Sequence, residues 1–242
     1  MRRCFRFRAF PALLALAILS TISAAPAFPA QGKHPKFAAP ELLTASDIVY
    51  PINSGAAGVV VVAVNLDDTG KIKNTDVLRD IPSLTSPVLL SIQKWTFKPA
   101  MLDGHGIDST ITVSVVFNPS DYRLAGTETP ALGKEVMVLS PDPNGFLPPK
   151  TTTASWANYP LNSLAHGSAI LDAEISRSGH VKRATPVWAP FLAKISIDAA
   201  EKWTFEPATF DGMPVTSNAV IGYVYRLPNI AVPVAPFRPS PP

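Results

Sequence analysis

One phrase occurs twice in the chain and constrains its fold more than any other feature. The sequence reads KWTFKPAMLDG from position 94 and KWTFEPATFDG from position 202, an offset of 108 residues. An internal repeat is identified before individual helices and strands are assigned, because the repeat fixes the number of structural units. We therefore compare the two halves outward from this phrase.

The repeat extends upstream of the phrase. Tyr50-Pro51 matches Tyr159-Pro160 and Gly70 matches Gly179 at an offset of 109, so one residue is missing between Gly179 and Trp203. Each copy spans about 70 residues, a size at which small domains fold alone. The sequence predicts two small domains, at 48–119 and 154–228.

The second copy shows which side of its first strand is buried. Residues 171–176 read LDAEIS, and this alternation of apolar and polar residues is typical of a half-buried strand. We expect Leu171, Ala173 and Ile175 to face the core, and Asp172 and Glu174 to face water. Transfer by 109 residues places Val62, Val64 and Leu66 inside, and leaves Val61 and Ala63 on an outer face that something else covers.

A turn, a second strand and a helix follow in each copy. The turns end in Gly70 and Gly179, at positions that favour positive φ. Ser86-Pro87 predicts an N-cap followed by proline in the first helical position. Leu89, Ile92 and Trp95 predict one buried helix face, and in copy two the same face carries Ile197, Ala200 and Trp203.

Both copies end in a closing strand after a Pro-Ala break and an Asp-Gly turn, with apolar and polar residues alternating in 111–117, whose counterpart is 219–225. The predicted fold class is α+β, with two small domains that each contain a short antiparallel sheet packed by one or two helices. The Asp-Gly pairs Asp103-Gly104 and Asp211-Gly212 are interpreted as hairpin turns rather than acid catalysts. Trp95 and Trp203 are interpreted as core residues rather than ligand platforms.

The ordered set of motifs resembles the TonB C-terminal domain family, and it does so twice. The residues that carry the likeness in copy one are Tyr50-Pro51, Gly70, Trp95, Phe97, Pro99-Ala100 and Asp103-Gly104. Their counterparts in copy two are Tyr159-Pro160, Gly179, Trp203, Phe205, Pro207-Ala208 and Asp211-Gly212. The chain departs from family transducers in its doubled domain, its short spacer, and the absence of histidine between residues 9 and 28.

The resemblance implies a periplasmic energy transducer that binds an extended receptor segment by adding it as a strand to a sheet edge. Carried onto this sequence, the accepting edge is the closing strand of either copy. The candidate partner-binding residues are Ile111, Thr112, Val113, Ser114, Val115, Val116, Phe117, Ala219, Val220, Ile221, Gly222, Tyr223, Val224 and Tyr225. The implied partners are protein or peptide segments of the envelope, such as outer-membrane receptors.

The N-terminal residues 1–27 have the three parts of a secretory signal peptide: a basic start, an apolar run and a small-residue site ending at Ala27. This interpretation predicts a periplasmic protein. The alternative is an uncleaved anchor in the inner membrane, since residues 9–28 are uncharged and long enough to span a bilayer. The net charge of +3 includes four arginines of this segment, so the remaining chain has a charge of 3 − 4 = −1 and no basic footprint for nucleic acid.

The remaining segments are a linker or crossover at 120–153, in which residues 134–139 predict a short strand, and a proline-rich tail at 229–242. The sequence predicts no enzyme, no cofactor and no metal site. The single cysteine, Cys4, lies in the leader, and His34, His105, His166 and His180 belong to no metal or base motif.

Two functions remain open at this point. In the first, the chain is a non-catalytic binding protein that accepts partner segments on its closing strands, in energy-coupled transport. In the second, the closing strands pair with each other, and the chain is a structural or adaptor protein of the envelope.

Overall fold

A computed structural model describes residues 36–118, 129–160 and 163–226. The predicted leader, the predicted tail and the first part of the linker lie outside these residues. Within the described residues, no helix is both long enough and apolar enough to cross a membrane. The described residues belong to one compact unit.

The two copies contain the same elements in the same order. Copy one consists of β1 (Phe37–Ala38), β2 (Glu41–Thr44), β3 (Gly58–Leu66), β4 (Ile72–Asp80), α1 (Pro82–Ile92), β5 (Thr96–Lys98), β6 (Ala100–Leu102), β7 (His105–Ile107) and β8 (Ser109–Phe117). The linker contributes β9 (Lys134–Glu135). Copy two consists of β10 (Phe146–Leu147), β11 (Lys150–Thr153), β12 (Gly167–Ile175), β13 (Val181–Trp188), α2 (Ala193–Ala200), β14 (Thr204–Glu206), β15 (Thr209–Phe210), β16 (Met213–Pro214) and β17 (Ser217–Tyr225).

The long strands of both copies form a single seven-stranded sheet in the order β13-β12-β17-β8-β3-β4-β9. Neighbours are antiparallel except at the centre, where β8 and β17 run parallel. The architecture is α+β, as predicted. The copies nevertheless share one sheet, so the expected separation into two independent sheets is not observed.

The two helices cover opposite faces of this sheet, as alternate residues of β3 show. Val60, Val62 and Val64 lie in the apolar cluster that contains Leu84, Val88 and Ile92 of α1. Val59, Val61 and Ala63 lie in the cluster that contains Ala199 and Ala200 of α2. A two-fold rotation about the strand direction relates the copies, because such a rotation keeps strands parallel and exchanges the faces. The predicted inner positions of both copies are confirmed.

Helix α1 begins earlier than the sequence predicts. Pro82, not Pro87, occupies the first turn, and Pro87 lies inside the helix. Either proline suits a helix start, because the first backbone N–H groups have no partner in the helix. The earlier start brings Leu84 and Val88 into the buried stripe with Ile92, while Leu89 is only partly buried.

A short arm precedes the sheet in each copy, and the predicted domain boundaries omit it. Strand β2 pairs with β5 through Glu41↔Lys98, and β11 pairs with β14 through Lys150↔Glu206. The arm of copy two lies inside the segment that the sequence assigned to the linker. A repeat signal was present there, since Thr44-Ala45-Ser46 and Thr153-Ala154-Ser155 are identical and stand 109 residues apart.

Candidate functional site

The closing strands β8 and β17 occupy the centre of the sheet. Strand β8 pairs with β3 on one side and with β17 on the other, in the parallel register from Val113↔Val220 to Phe117↔Val224. Strand β17 pairs with β12 on its other side. The prediction that these strands are sheet edges is therefore wrong for this structure, because both sides of each are occupied.

All fourteen candidate residues of the two strands are buried, on one face of the sheet or the other. Val113 and Val115 of β8 lie in the cluster beneath α1, and Val220 and Val224 of β17 join them. Ile221 and Tyr223 point the opposite way, into the cluster beneath α2. A strand buried on both faces is typically apolar at nearly every position. The nearly continuous apolar run of residues 219–225 in β17 was thus a signal for a central position, whereas Thr112 and Ser114 interrupt the run in β8.

The linker covers one end of the outer edge of copy one. Strand β9 pairs with β4 through Arg79↔Glu135 and Asp80↔Lys134. The Val136 amide then donates to the Leu78 carbonyl at 2.9 Å. The guanidinium of Arg79 and the carboxylate of Glu135 form an ion pair at 2.9 Å. Of the strand predicted in residues 134–139, only Lys134–Glu135 is observed as a strand, and it pairs with the end of β4.

The outer edge of copy two is β13, which pairs only with β12 among the described strands. This strand contains Lys182, Arg183 and Pro186, and its pairing is interrupted by two register shifts. Charged residues, proline and bulges on an outer strand oppose the addition of a further strand. The open edge is therefore present but poorly suited to pairing.

Each arm crosses to the outer face of the other copy. On copy two, the Leu42 amide donates to Asp172 Oδ1 at 3.2 Å, and Ser168 donates its hydroxyl to Asp47 Oδ1 at 2.7 Å. On copy one, Thr112 donates to the Pro149 carbonyl at 2.7 Å. Because the arm of copy two covers the outer face of copy one, Val61 is buried although it lies on that face.

Asp172 does not face open water as the strand alternation predicts. The arm of copy one covers it, and the Asn218 amide donates to its Oδ2 at 2.6 Å. Burial raises the pKa of Asp172 to about 6, although the hydrogen bonds from Leu42 and Asn218 oppose that rise. A carboxyl group thus lies at a contact between the copies.

A third apolar cluster joins the copies at the arms. Phe37 and its repeat counterpart Phe146 have ring centroids 4.9 Å apart, and Phe37 lies 5.1 Å from Phe210. Phe146 and Phe210 are buried. Aromatic contacts at these separations add to the free energy of burial. The copies are therefore held by their arms as well as by their sheet.

The repeated phrase builds the connection between helix and closing strand. Trp95 and Trp203 are buried, as predicted, and the Trp203 indole N–H donates to the Tyr223 hydroxyl at 2.8 Å. Asp103 and Asp211 have φ of 49°, each is followed by a glycine with positive φ, and the pairs form the predicted hairpin turns.

The described residues contain no group of three His, Cys, Asp or Glu side chains placed to hold a metal ion. His105, His166 and His180 are exposed and lie apart on β7, in a loop and in a turn, while His34 is outside the described residues.

Comparison with known families assigns a relationship to part of the chain. Residues 49–119, which comprise β3 to β8 of copy one, match the family Gram-negative bacterial TonB protein C-terminal. No curated protein matches the chain. No solved structure matches it. The first copy is thus a domain similar to the C-terminal domain of TonB, as its motifs predict.

Proposed function

We propose that this chain is a non-catalytic, TonB-like protein of the bacterial envelope, in which the two copies act as one rigid adaptor. The observation that carries the proposal is the parallel pairing of β8 with β17. In the resembled family, the closing strand accepts an extended segment from a receptor. Here the closing strand of each copy occupies that position on the other.

The family match favours interaction with envelope proteins over catalysis. The placement of the protein in the periplasm rests on the leader, which lies outside the described residues. Partners of the outer membrane are the class that the family implies. The rigid unit would present them with surfaces other than its closing strands.

Strand addition to residues 111–117 or 219–225 requires the copies to separate first. Separation would break the backbone hydrogen bonds between β8 and β17 and expose residues that are buried on both faces. Unpaired backbone groups and newly exposed apolar side chains both cost free energy. A partner peptide would have to supply that free energy before any net binding.

A second candidate function is strand addition at β13, because this long strand has no neighbour on its outer side among the described residues. Trp188 at its end is 37% exposed and Phe191 beyond it is 61% exposed, so apolar surface is available to an added strand. The charges of Lys182 and Arg183, together with Pro186, oppose the addition of a strand there. We rank it below the adaptor.

Backbone amide hydrogen exchange tests the proposal, with and without a synthetic peptide from the exposed N-terminal segment of an outer-membrane receptor. We expect the amides of β8 and β17 to exchange only through global unfolding, and the peptide to add no protection there. Two results would instead support a function in which the closing strands accept a partner segment. One is fast exchange of the β8 and β17 amides in the free protein, and the other is new protection of both strands with the peptide. New protection confined to β13 would support the second candidate.

A further inference from the structure

A mainly apolar pocket of about 130 Å³ opens on the outer face of copy one, opposite helix α1. Four separate parts of the chain form its walls. They are Val61 and Leu78 from the sheet, Leu147 and Pro149 from the arm of copy two, Met137 and Val138 from the linker, and Glu206 and Pro207 from the repeated phrase of copy two. The pocket thus depends on the paired arrangement of the copies.

An exposed apolar ridge, residues 136–138, borders this pocket. Val136 is 52% exposed, Met137 45% and Val138 70%. The ridge follows β9, whose ion pair and backbone bonds fix it against β4. An exposed apolar patch that continues into a cavity marks an interaction site more often than isolated apolar residues do.

The volume limits what the pocket can hold. An engineered cavity of about 150 Å³ lined by apolar side chains binds benzene. The pocket described here therefore has room for a single ring or a single branched side chain. It is too small for a larger cofactor.

Two basic and two acidic side chains line the pocket, and the ion pairs among them leave one carboxylate that a cation beside the apolar group could pair with. Glu135 already pairs with Arg79 at 2.9 Å and with Lys150 at 3.6 Å. Glu206 also borders the pocket and is exposed, and it forms no ion pair with any described residue. In copy one the equivalent positions, Glu41 and Lys98, pair with each other at 3.2 Å.

We propose that the pocket and the ridge bind an extended segment of a partner protein that inserts one Phe- or Leu-sized side chain and places a Lys or Arg beside Glu206. A small molecule within the pocket would leave the ridge exposed to water. A polypeptide that crosses the mouth covers both. This inference rests on the proposed function, because the pocket requires the paired copies.

The test uses the full chain and short blocked alanine peptides that carry Phe-Lys, Ala-Lys or Phe-Glu at their centre. Methyl NMR signals of Val61, Leu78 and Leu147 report on occupancy, and titration gives the affinity. We expect the Phe-Lys peptide to shift these signals, and the other two to bind at least about tenfold more weakly. Toluene serves as a probe for the pocket alone.

Three variants test whether peptide binding depends on the ridge and on Glu206 at the mouth of the pocket. Val138→Asp places a charge at the mouth and should weaken Phe-Lys binding at least about tenfold. Val49→Asp is the matched control, because Val49 is 69% exposed and does not line the pocket. Glu206→Gln should weaken Phe-Lys binding severalfold and leave the weaker Phe-Glu binding no worse.

Absence of any shift at the three methyl groups with the Phe-Lys peptide would overturn the proposal. It would also be overturned if the Ala-Lys peptide bound equally well, or if toluene entered the pocket while the peptide did not. Amide exchange of β8 and β17 in the same sample shows whether the copies are paired. An empty pocket in a paired protein contradicts this inference alone, whereas loss of pairing contradicts the proposed function.

Discussion

Two glycines show how the repeated phrase determines the local fold. A Cβ atom on Gly70 would lie 2.3 Å from the Phe97 carbonyl oxygen, and one on Gly179 would lie 1.9 Å from that of Phe205. Both glycines also have positive φ, 86° and 81°. The first hairpin turn of each copy therefore packs against the backbone of the phrase. The sequence predicted the turns, but this close approach comes from tertiary packing that no local pattern reports.

The close approach predicts a large difference between two Gly→Ala substitutions in copy two. Gly212→Ala places a Cβ that meets no atom within 4 Å, so its cost is the strain of positive φ alone, about 1–2 kcal/mol. Gly179→Ala has the same strain and must also displace backbone, so we expect a loss of at least about 3 kcal/mol. Urea unfolding of the full chain measures both. Equal losses would contradict the packing of phrase against turn.

Asp172 predicts a pH dependence of stability. Its pKa is about 6 in the folded protein against 3.8 ordinarily, so the folded state binds the proton more tightly than the unfolded state. The stabilisation from this group is complete below about pH 4 and is lost as the pH rises through 6. The pKa difference corresponds to about 3 kcal/mol at most. Glu41 and Arg183, the charged groups that act on Asp172, have opposing effects.

Asp172→Asn removes this titration. We expect the variant to gain stability relative to the natural chain by up to about 3 kcal/mol between pH 4 and pH 7.5. Urea unfolding at a series of pH values measures the change. A difference between the two proteins that stays constant over this range would show that Asp172 is not buried by the arm of copy one.

Among the helices and strands, features that depend on neighbouring residues in the sequence were predicted well. The alternation in residues 171–175 identified the inner face of β12, and transfer to copy one located the inner face of β3. The start of α1 was predicted wrongly, because Pro82 and Pro87 both fit a first helical turn. The burial of Asp172 was missed for a different reason, since a segment distant in sequence covers it.

Gly222 reports on the contact between the closing strands. A Cβ atom at this residue of β17 would approach Val115 of β8 at 3.1 Å and Ile170 of β12 at 3.2 Å. Gly222→Val adds further atoms to this space, and we expect a loss of about 1–3 kcal/mol. Gly55→Val is the control, because a Cβ atom there meets nothing within 4 Å. Unfolding of both variants in urea gives the comparison, and a neutral Gly222→Val would argue against close contact of β8 with β17.

For the whole molecule, the repeat was evident in the sequence, but the way in which the two copies associate was not. Two copies with apolar closing strands are compatible with separate domains that offer edges and with domains that pair. The choice depends on free energies of contact between surfaces far apart in sequence, and a repeat carries no information about them. Exchange of the arms, the cluster around Phe37 and Phe146, and the burial of Val61 all favour pairing in this structure.

NMR measures the pairing of β8 with β17 directly. We predict backbone cross-strand NOEs in the parallel register that joins Val113 to Val220 and Val115 to Gly222. The antiparallel NOEs between β3 and β8, and between β12 and β17, provide the control within the same spectrum. Observation of both sets would establish one shared sheet. Antiparallel NOEs within each copy without the parallel set between them would show that the closing strands are free and that the copies do not share one sheet.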